Sequence, residues 1–560
     1  METLPIKDVK AKRTRTNVKQ SKNGCLTCKA RRIKCDEAKP TCQRCQSSKR
    51  ECGGYPRDIT QNSSLKALSR SSSSPSTSDS LSGLSTISSA SSPLRSLAFT
   101  PQQLSSPFVA LACNVFVSSP RRARTDIEQN LWSHIVPQLA HSIPSVRAAV
   151  EAFGSSYNEY VLKVDTPCPG LETTKRYAQA LKLVQYDLAT LQYGPLPGII
   201  ACLFLACAEA LQQRLNKSHL HLLGAFSLLL SGADSKALAT IDIESVSFLF
   251  QKLDLHVATY GICNPPHLPP LPAITTDSII SLPPDRSLYK ILNSCYHFTA
   301  RAHQYKYTNP RLTPPDLLIE QGRQIGTLKQ WLSCNTLSSP CDIESDESLL
   351  VLRTQCLAAL IHASTILEPR ETSYDYYGPD FEEIVTTIEA LLMSKCHQQD
   401  SQQGSLPSFI PEMGIIHPLY LTAKRYRNSY WRRKALQLID KCGKEGPWCA
   451  ETESSIIEAV IKIEEGSFDK ASLDLSRNED ATIDNPSNIP EKNRINCSWT
   501  VDPGKEDGDC NAVTRKRYTR AIIFKCLDID GMLHDTEGQE PRKFPWEDSK
   551  WWKTWFVSLE

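Results

Sequence analysis

Residues Cys25 to Cys52 read CLTCKARRIKCDEAKPTCQRCQSSKREC, six cysteines in 28 residues with eight Lys or Arg threaded between them. Cys25, Cys28, Cys35, Cys42, Cys45 and Cys52 are separated by two, six, six, two and six residues, so one unit, CxxC plus six residues and a cysteine, is written twice. Each half reads as a short helix and an extended strand, the CxxC turn aiming two thiolates at one metal and the third returning after the helix. A tetrahedral zinc site takes four ligands and each half offers three. The deficit disappears if two zinc ions share two bridging thiolates, and the repeat-equivalent Cys25 and Cys42 are the natural bridges. Cys25, Cys28, Cys42 and Cys45 alone would fit a single-zinc ribbon serving as a protein adaptor; Cys35 and Cys52 at equivalent places argue against it.

Charge extends the reading. Residues 1 to 57 carry sixteen Lys or Arg against five Asp or Glu, a balance of +11, although the whole chain carries only +3. A basic head on an acidic body points to a polyanion partner for the head. Two zinc ions among six thiolates leave about −2 to offset. Lys29, Arg31, Arg32, Lys34, Lys39, Arg44, Lys49 and Arg50 exceed that, and surplus cations on a compact module are what phosphate binding requires. Ahead of the cluster, KAKRTR (Lys10, Lys12, Arg13, Arg15) reads as a nuclear import signal or as extra phosphate contact.

These residues resemble the fungal binuclear zinc-cluster transcription factors: the cysteine spacing, KARRIK between the second and third cysteines, and Pro40 two residues before the fourth. The resemblance implies a zinc-dependent nuclear regulator of RNA polymerase II transcription that reads CGG-like triplets of double-stranded DNA through a helix in the major groove. By position it implies that Arg31 and Arg32 meet base edges, Arg32 foremost, since arginine grips guanine O6 and N7 in a bidentate way. Lys29, Lys34 and Arg44 then become phosphate contacts. Many members follow the cluster with a heptad coiled coil. Here Cys52 runs through GGYPRDITQNSSLKALSR with no a/d repeat, which allows a monomer or a homodimer held through the helical body.

The expected architecture is a small metal-stabilised zinc-cluster domain of two helix-strand halves, joined by a disordered Ser-rich linker to a large, mostly all-α domain. Its parts are a basic arm (1–24), the cluster (25–57), the linker (58–120), a helical regulatory domain (121–465), an acidic mobile insertion (466–516) and a Trp-rich segment (517–560). The linker holds seventeen Ser among residues 61 to 100 and Ser-Pro pairs at Ser74, Ser92, Ser106 and Ser119, with little to bury. In the body, Tyr177, Leu181, Val184, Leu188 and Leu191 fall on one helical face, and PLPGIIACLFLACAEALQQRL, apolar nearly all round, predicts a buried central helix. MGIIHPLYLTAKRYRNSYWRRKALQLIDKC reads as one long helix. Phrases such as GIIACLFLACAEALQ resemble the regulatory domain that accompanies some family members. Near the end, Asp530-Gly531 reads as a hairpin turn, and Trp546, Trp551, Trp552 and Trp555 as residues buried against the body.

The sequence carries no GxSxG, HExxH, P-loop or dinucleotide fingerprint, so no enzyme is expected. The first residues lack the apolar core of a secretory signal, and the longest apolar run, Ile199 to Ala208, is too short to span a bilayer, so no membrane partner is expected. The expected partners beyond DNA are co-regulators or the transcription machinery and a small-molecule effector between the helices.

Overall fold

The structure, a computed structural model, describes residues 25, 27–28, 31, 33–39, 41–48, 50 and 52 of the N-terminal region. Beyond them it describes 106–118, 130–162, 170–190, 194–232, 243–261, 264–272, 274–336, 347–399, 409–465, 489–501, 519–535, 541–542 and 545–559. The import-type residues Lys10, Lys12, Arg13 and Arg15, and Lys29 and Arg32 of the cluster, lie outside the described residues. So do the serine-rich stretch through 105 and the acidic stretches 466–488 and 502–518. The chain divides into two compact units, residues 1–92 and 93–560.

The second unit is mostly helical. Its centre is the helix Pro195–Leu211, in which every residue from Leu196 to Leu211 is buried. The apolar run requires such a site, because no face of this helix could meet water without exposing Ile, Leu or Phe. Gly194, at φ 73°, turns the chain into it, and a proline occupies its first turn, where a missing N–H costs nothing. The helices Pro144–Tyr160 and Leu215–Gly232 pack along it. The helix Leu171–Thr190 buries Ala180 and Val184.

One helix falls where the sequence reading had only linker. Pro107–Ser118, PFVALACNVFVS, buries Val109, Ala112, Cys113 and Phe116. Its apolar content is hidden by the serine-rich average of the preceding forty residues. Phe116 stacks on Trp132 at 4.3 Å between ring centres and meets Phe204 of the central helix edge-on at 5.3 Å. Gly154 lets this helix approach, for a Cβ there would sit 2.2 Å from the Phe108 carbonyl oxygen.

The stretch expected as one long helix is two, Ile416–Arg425 and Ser429–Ile439. The break is chemical. Asn428 accepts from the amides of Tyr430 and Trp431 at 3.1 and 3.2 Å as the cap of the second helix, and Arg427 turns inward to two carboxylates. Glu445 serves the first helix similarly, accepting from the amides of Ile415 and Ile416 at 3.1 and 2.9 Å.

The C-terminal region is a three-stranded antiparallel sheet with Thr519–Cys526 between Cys497–Val501 and Trp552–Leu559. Cys497–Val501, assigned from sequence to the acidic insertion, is an edge of this sheet. The central strand alternates as a strand must. Ala521 and Ile523 pack with Ile456 and Val460 of the helix Ala450–Glu464, while Phe524 and Cys526 pack with Tyr307, Trp546 and Trp552. Asp530 and Gly531 lie in the short helix Ile529–Asp535 and not in a hairpin turn. Of the four tryptophans expected to be buried, Trp546 and Trp552 are, whereas Trp551 and Trp555 are half-buried. Among the described residues no helix is long and apolar enough to cross a membrane.

Candidate metal centre and nucleic-acid interface

The first unit is organised by its cysteines. Cys25, Cys28, Cys35, Cys42 and Cys45 are buried and Cys52 is half-buried, a core of sulfur joined among the described aliphatic side chains by Ile33. The two halves repeat in hydrogen bonding as they do in sequence. The Cys28 amide donates to Cys25 Sγ at 3.4 Å, and the Cys45 amide donates to Cys42 Sγ at 3.3 Å. Each CxxC turn therefore points its second amide at its first sulfur, the arrangement that favours thiolate over thiol. Cys35 Sγ accepts from the amides of Cys25 and Glu37, both at 3.4 Å. Glu37 reaches it from a left-handed backbone at φ 60°, which a non-glycine residue adopts only when surroundings hold it there.

The sulfurs fall into two groups of four, Cys25, Cys28, Cys35 and Cys42, and Cys25, Cys42, Cys45 and Cys52, with all ligand atoms in each group within 4.8 Å of one another. Cys25 and Cys42 stand in both. Within the groups, Cys25 Sγ is 3.6 Å from Cys42 Sγ and 3.8 Å from Cys45 Sγ, and Cys28 Sγ is 3.6 Å from Cys42 Sγ. A tetrahedral zinc with Zn–S of about 2.3 Å spaces its sulfurs about 3.8 Å apart, whereas a disulfide needs about 2.05 Å. The donor set fits zinc. Without a cation, burial pushes the Cys25 thiol up to about 12 and the Cys42 thiol higher, so a metal charge is what would hold these sulfurs as thiolates.

The second half is fastened to the first by side chains that the sequence reading did not single out. Asp36 accepts from the amides of Gln43 and Arg44 at 2.9 and 3.1 Å, at the start of the short helix Gln43–Ser47. Slight burial opposes its ionisation, but these amides hold its carboxyl below the usual range. Arg31 Nη1 donates to Ser48 Oγ at 3.0 Å, bridging the two halves. The available signal for Asp36 was its position, an acid in the loop ahead of the second CxxC.

Arg31, Lys34, Lys39, Arg44 and Arg50 are exposed on this module, against Asp36 and Glu37 as the exposed acids among its described residues. Of the residues assigned to DNA, the structure thus places Arg31, Lys34 and Arg44 on the surface of the sulfur core, with Arg31 also tied to Ser48.

The comparisons agree with this chemistry. Residues 23–62 match the fungal Zn(2)-Cys(6) binuclear cluster domain, which implies zinc binding. The chain is 49% identical over 51 residues to the transcriptional regulatory protein moc3 of Schizosaccharomyces pombe, covering 9% of this chain and 10% of that protein. It is 36% identical over 140 residues to an uncharacterised transcriptional regulatory protein of the same yeast, covering 25% of this chain and 24% of the relative. It is 61% identical over 36 residues to the aspercryptin biosynthesis cluster-specific transcription regulator atnN of Emericella nidulans, covering 6% of each chain. The chain therefore spans a quarter or less of these relatives. The shared feature is the cysteine-cluster domain, and the three relatives are named as transcription regulators. No solved structure matches the chain.

Proposed function

We propose that the chain is a zinc-dependent, sequence-specific DNA-binding regulator of RNA polymerase II transcription that acts in the nucleus. The observation that carries the reading is the pair of four-sulfur groups sharing Cys25 and Cys42, on a module whose surface is rich in Lys and Arg. Two zinc ions would be held by Cys25, Cys28, Cys35, Cys42, Cys45 and Cys52, with Cys25 and Cys42 belonging to both four-sulfur groups. The metal's role is to fold the segment and keep its sulfurs as thiolates. The chain's own residues do the recognition. Arg32, with Arg31 beside it, meets base edges of a CGG-like triplet, since bidentate arginine–guanine contacts discriminate by about 1–3 kcal/mol. Lys29, Lys34 and Arg44 neutralise phosphates and set the register. Lys10, Lys12, Arg13 and Arg15 serve import or add phosphate contacts. The helical body supplies regulation and a surface for a homodimer or co-regulators.

The test is selection from random duplex oligonucleotides with the full chain, with and without a zinc chelator. Enrichment of one G/C-rich triplet that the chelator abolishes is the expected result. Recovery of no preferred sequence at any salt concentration, with zinc bound, would overturn the reading in favour of a zinc-dependent adaptor.

A further inference from the structure

The helical unit holds a partly open cavity of about 130 Å³ between the helices Ile416–Arg425 and Ala450–Glu464, the strand Cys497–Val501 and the turn after Ala302. At about 30 Å³ per water, that is room for about four waters, or for one compact organic molecule. Aromatic rings, including Tyr307, Tyr374, Tyr420 and Trp448, form much of its wall.

Two ammonium groups also line it, Lys306 and Lys424, only 4% and 6% exposed. Neither takes part in an ion pair among the described residues. Lys306 Nζ reaches the Thr365 carbonyl at 3.4 Å and lies 5.4 Å from the centre of the Tyr374 ring. Lys424 Nζ reaches the Tyr420 hydroxyl and the Ser498 carbonyl, each at 3.4 Å. Arg425 beside them differs, because Glu371 answers its charge. Carbonyls and ring faces offset part of the desolvation of a buried ammonium, and an anion offsets the rest.

Two more polar groups line the cavity without hydrogen-bond partners, Glu453 Oε1 and His417 Nδ1, on residues 2% and 6% exposed. Buried polar atoms are paired in most folded proteins, so unpaired ones facing a common space point to something that occupies it. Burial, then the charge of Arg425, pulls the Lys424 ammonium down to about 8, and burial pushes the Glu453 carboxyl up to about 8 against the pull of Lys424. The lining thus holds three cationic side chains, Lys306, Lys424 and Arg425, against one carboxylate, Glu453. His417 and His362 do not add to the positive charge, since burial foremost holds each down to about 3.

We infer that this cavity binds a small organic acid, with its carboxylate against Lys306 and Lys424 and a hydroxyl or similar donor against Glu453. The site stands on the cavity alone; that its occupant regulates DNA binding rests on the function proposed above.

The full chain, zinc bound, is heated with malate, succinate, lactate, inorganic phosphate and the neutral malamide, each up to the millimolar range. Malate is expected to raise Tm in a saturable way, as any ligand of the folded state alone must, and malamide to leave it unchanged. Lys306→Met and Lys424→Met are each expected to remove at least tenfold of the malate affinity. Because each removes an ammonium that lacks a carboxylate partner, both variants are expected to fold. Glu453→Gln is a third variant, expected to narrow the preference for malate over succinate. The inference is overturned if no carboxylate raises Tm, if phosphate alone does, if malamide matches malate, or if both lysine variants keep the full shift. The readout is heat stability, so it stands or falls independently of whether the chain binds DNA.

Discussion

Arg427 Nη2 donates to Glu464 Oε1 at 2.9 Å, and neither side chain is exposed to water. Arg432 donates to the other oxygen of the same carboxylate at 2.8 Å, and the Ile495 amide adds a third bond at 2.8 Å. Glu464 thus gathers the broken helix, the helix on which it sits and the entry to the sheet. Replacing it by glutamine would leave two buried guanidinium groups short of a counter-charge. Glu464→Gln is expected to cost about 3–5 kcal/mol, the range for breaking a buried ion pair from one side. Urea unfolding of the full chain, followed by a probe of the helical unit, measures it.

The same carboxylate makes the unit sensitive to acid. Burial opposes its ionisation, but Arg427 and Arg432 outweigh that and hold it down to about 2, against 4.5 for an ordinary glutamate. A folded-state value below the unfolded one gives stability that is complete above the unfolded value and is lost as pH falls through the folded one. The Tm of the parent is therefore expected to fall between about pH 4.5 and 2, and that of Glu464→Gln to fall less steeply over the same interval.

Gly154→Ala is expected to destabilise the helical unit by about 1–3 kcal/mol, the usual cost of overpacking. The new methyl group would stand 2.2 Å from backbone of the helix Pro107–Ser118, which cannot yield as a side-chain tip can. Hydrogen exchange should then quicken in that helix before it does in Pro195–Leu211.

The sulfur core makes a count testable. Cys35 and Cys52 each stand in one four-sulfur group, whereas Cys42 stands in both. Native mass spectrometry is expected to find two zinc ions in the parent, one in Cys35→Ala and none in Cys42→Ala. Two ions retained in Cys35→Ala would falsify the shared-ligand assignment.

On DNA, Arg32→Ala is expected to relax preference at one base of the triplet with a loss of about 1–3 kcal/mol. Lys34→Ala and Arg44→Ala are expected to weaken binding evenly across sequences, each lowering the slope of log affinity against log salt by about 1. Titrations at several salt concentrations on matched and mismatched duplexes separate the two effects.

Legibility in the sequence followed the range of the interactions. The cluster could be read because its cysteines are local and identical in kind, so that spacing alone pairs Cys25 with Cys42. The central helix could be read because sixteen successive buried residues leave an unbroken apolar run. The break at Arg427 could not, since the apolar period continues through it and its cause, Glu371 and Glu464, lies far away in sequence. The edge strand Cys497–Val501 was missed for a related reason. Cys497–Val501 has one short apolar-polar alternation inside an acidic, proline-bearing stretch, and its partner begins eighteen residues after it ends. Lys306 and Lys424 stand among tyrosines in HQYKYT and LTAKRYR, a pattern that reads as a solvated face. Only the packing of distant segments puts them indoors.

The cavity wall also has a history in time. Tyr260 and Thr500, whose hydroxyls meet at 2.9 Å across 240 residues of sequence, both line it, as does Trp546. A ribosome making this chain therefore delivers the cysteine cluster hundreds of residues before the last face of the cavity. Until Trp546 has emerged, the nascent chain has its six-cysteine segment but a cavity that lacks one side. A transcript interrupted before the codon for Cys497 would yield a product with the sulfur core and without the means to enclose a ligand.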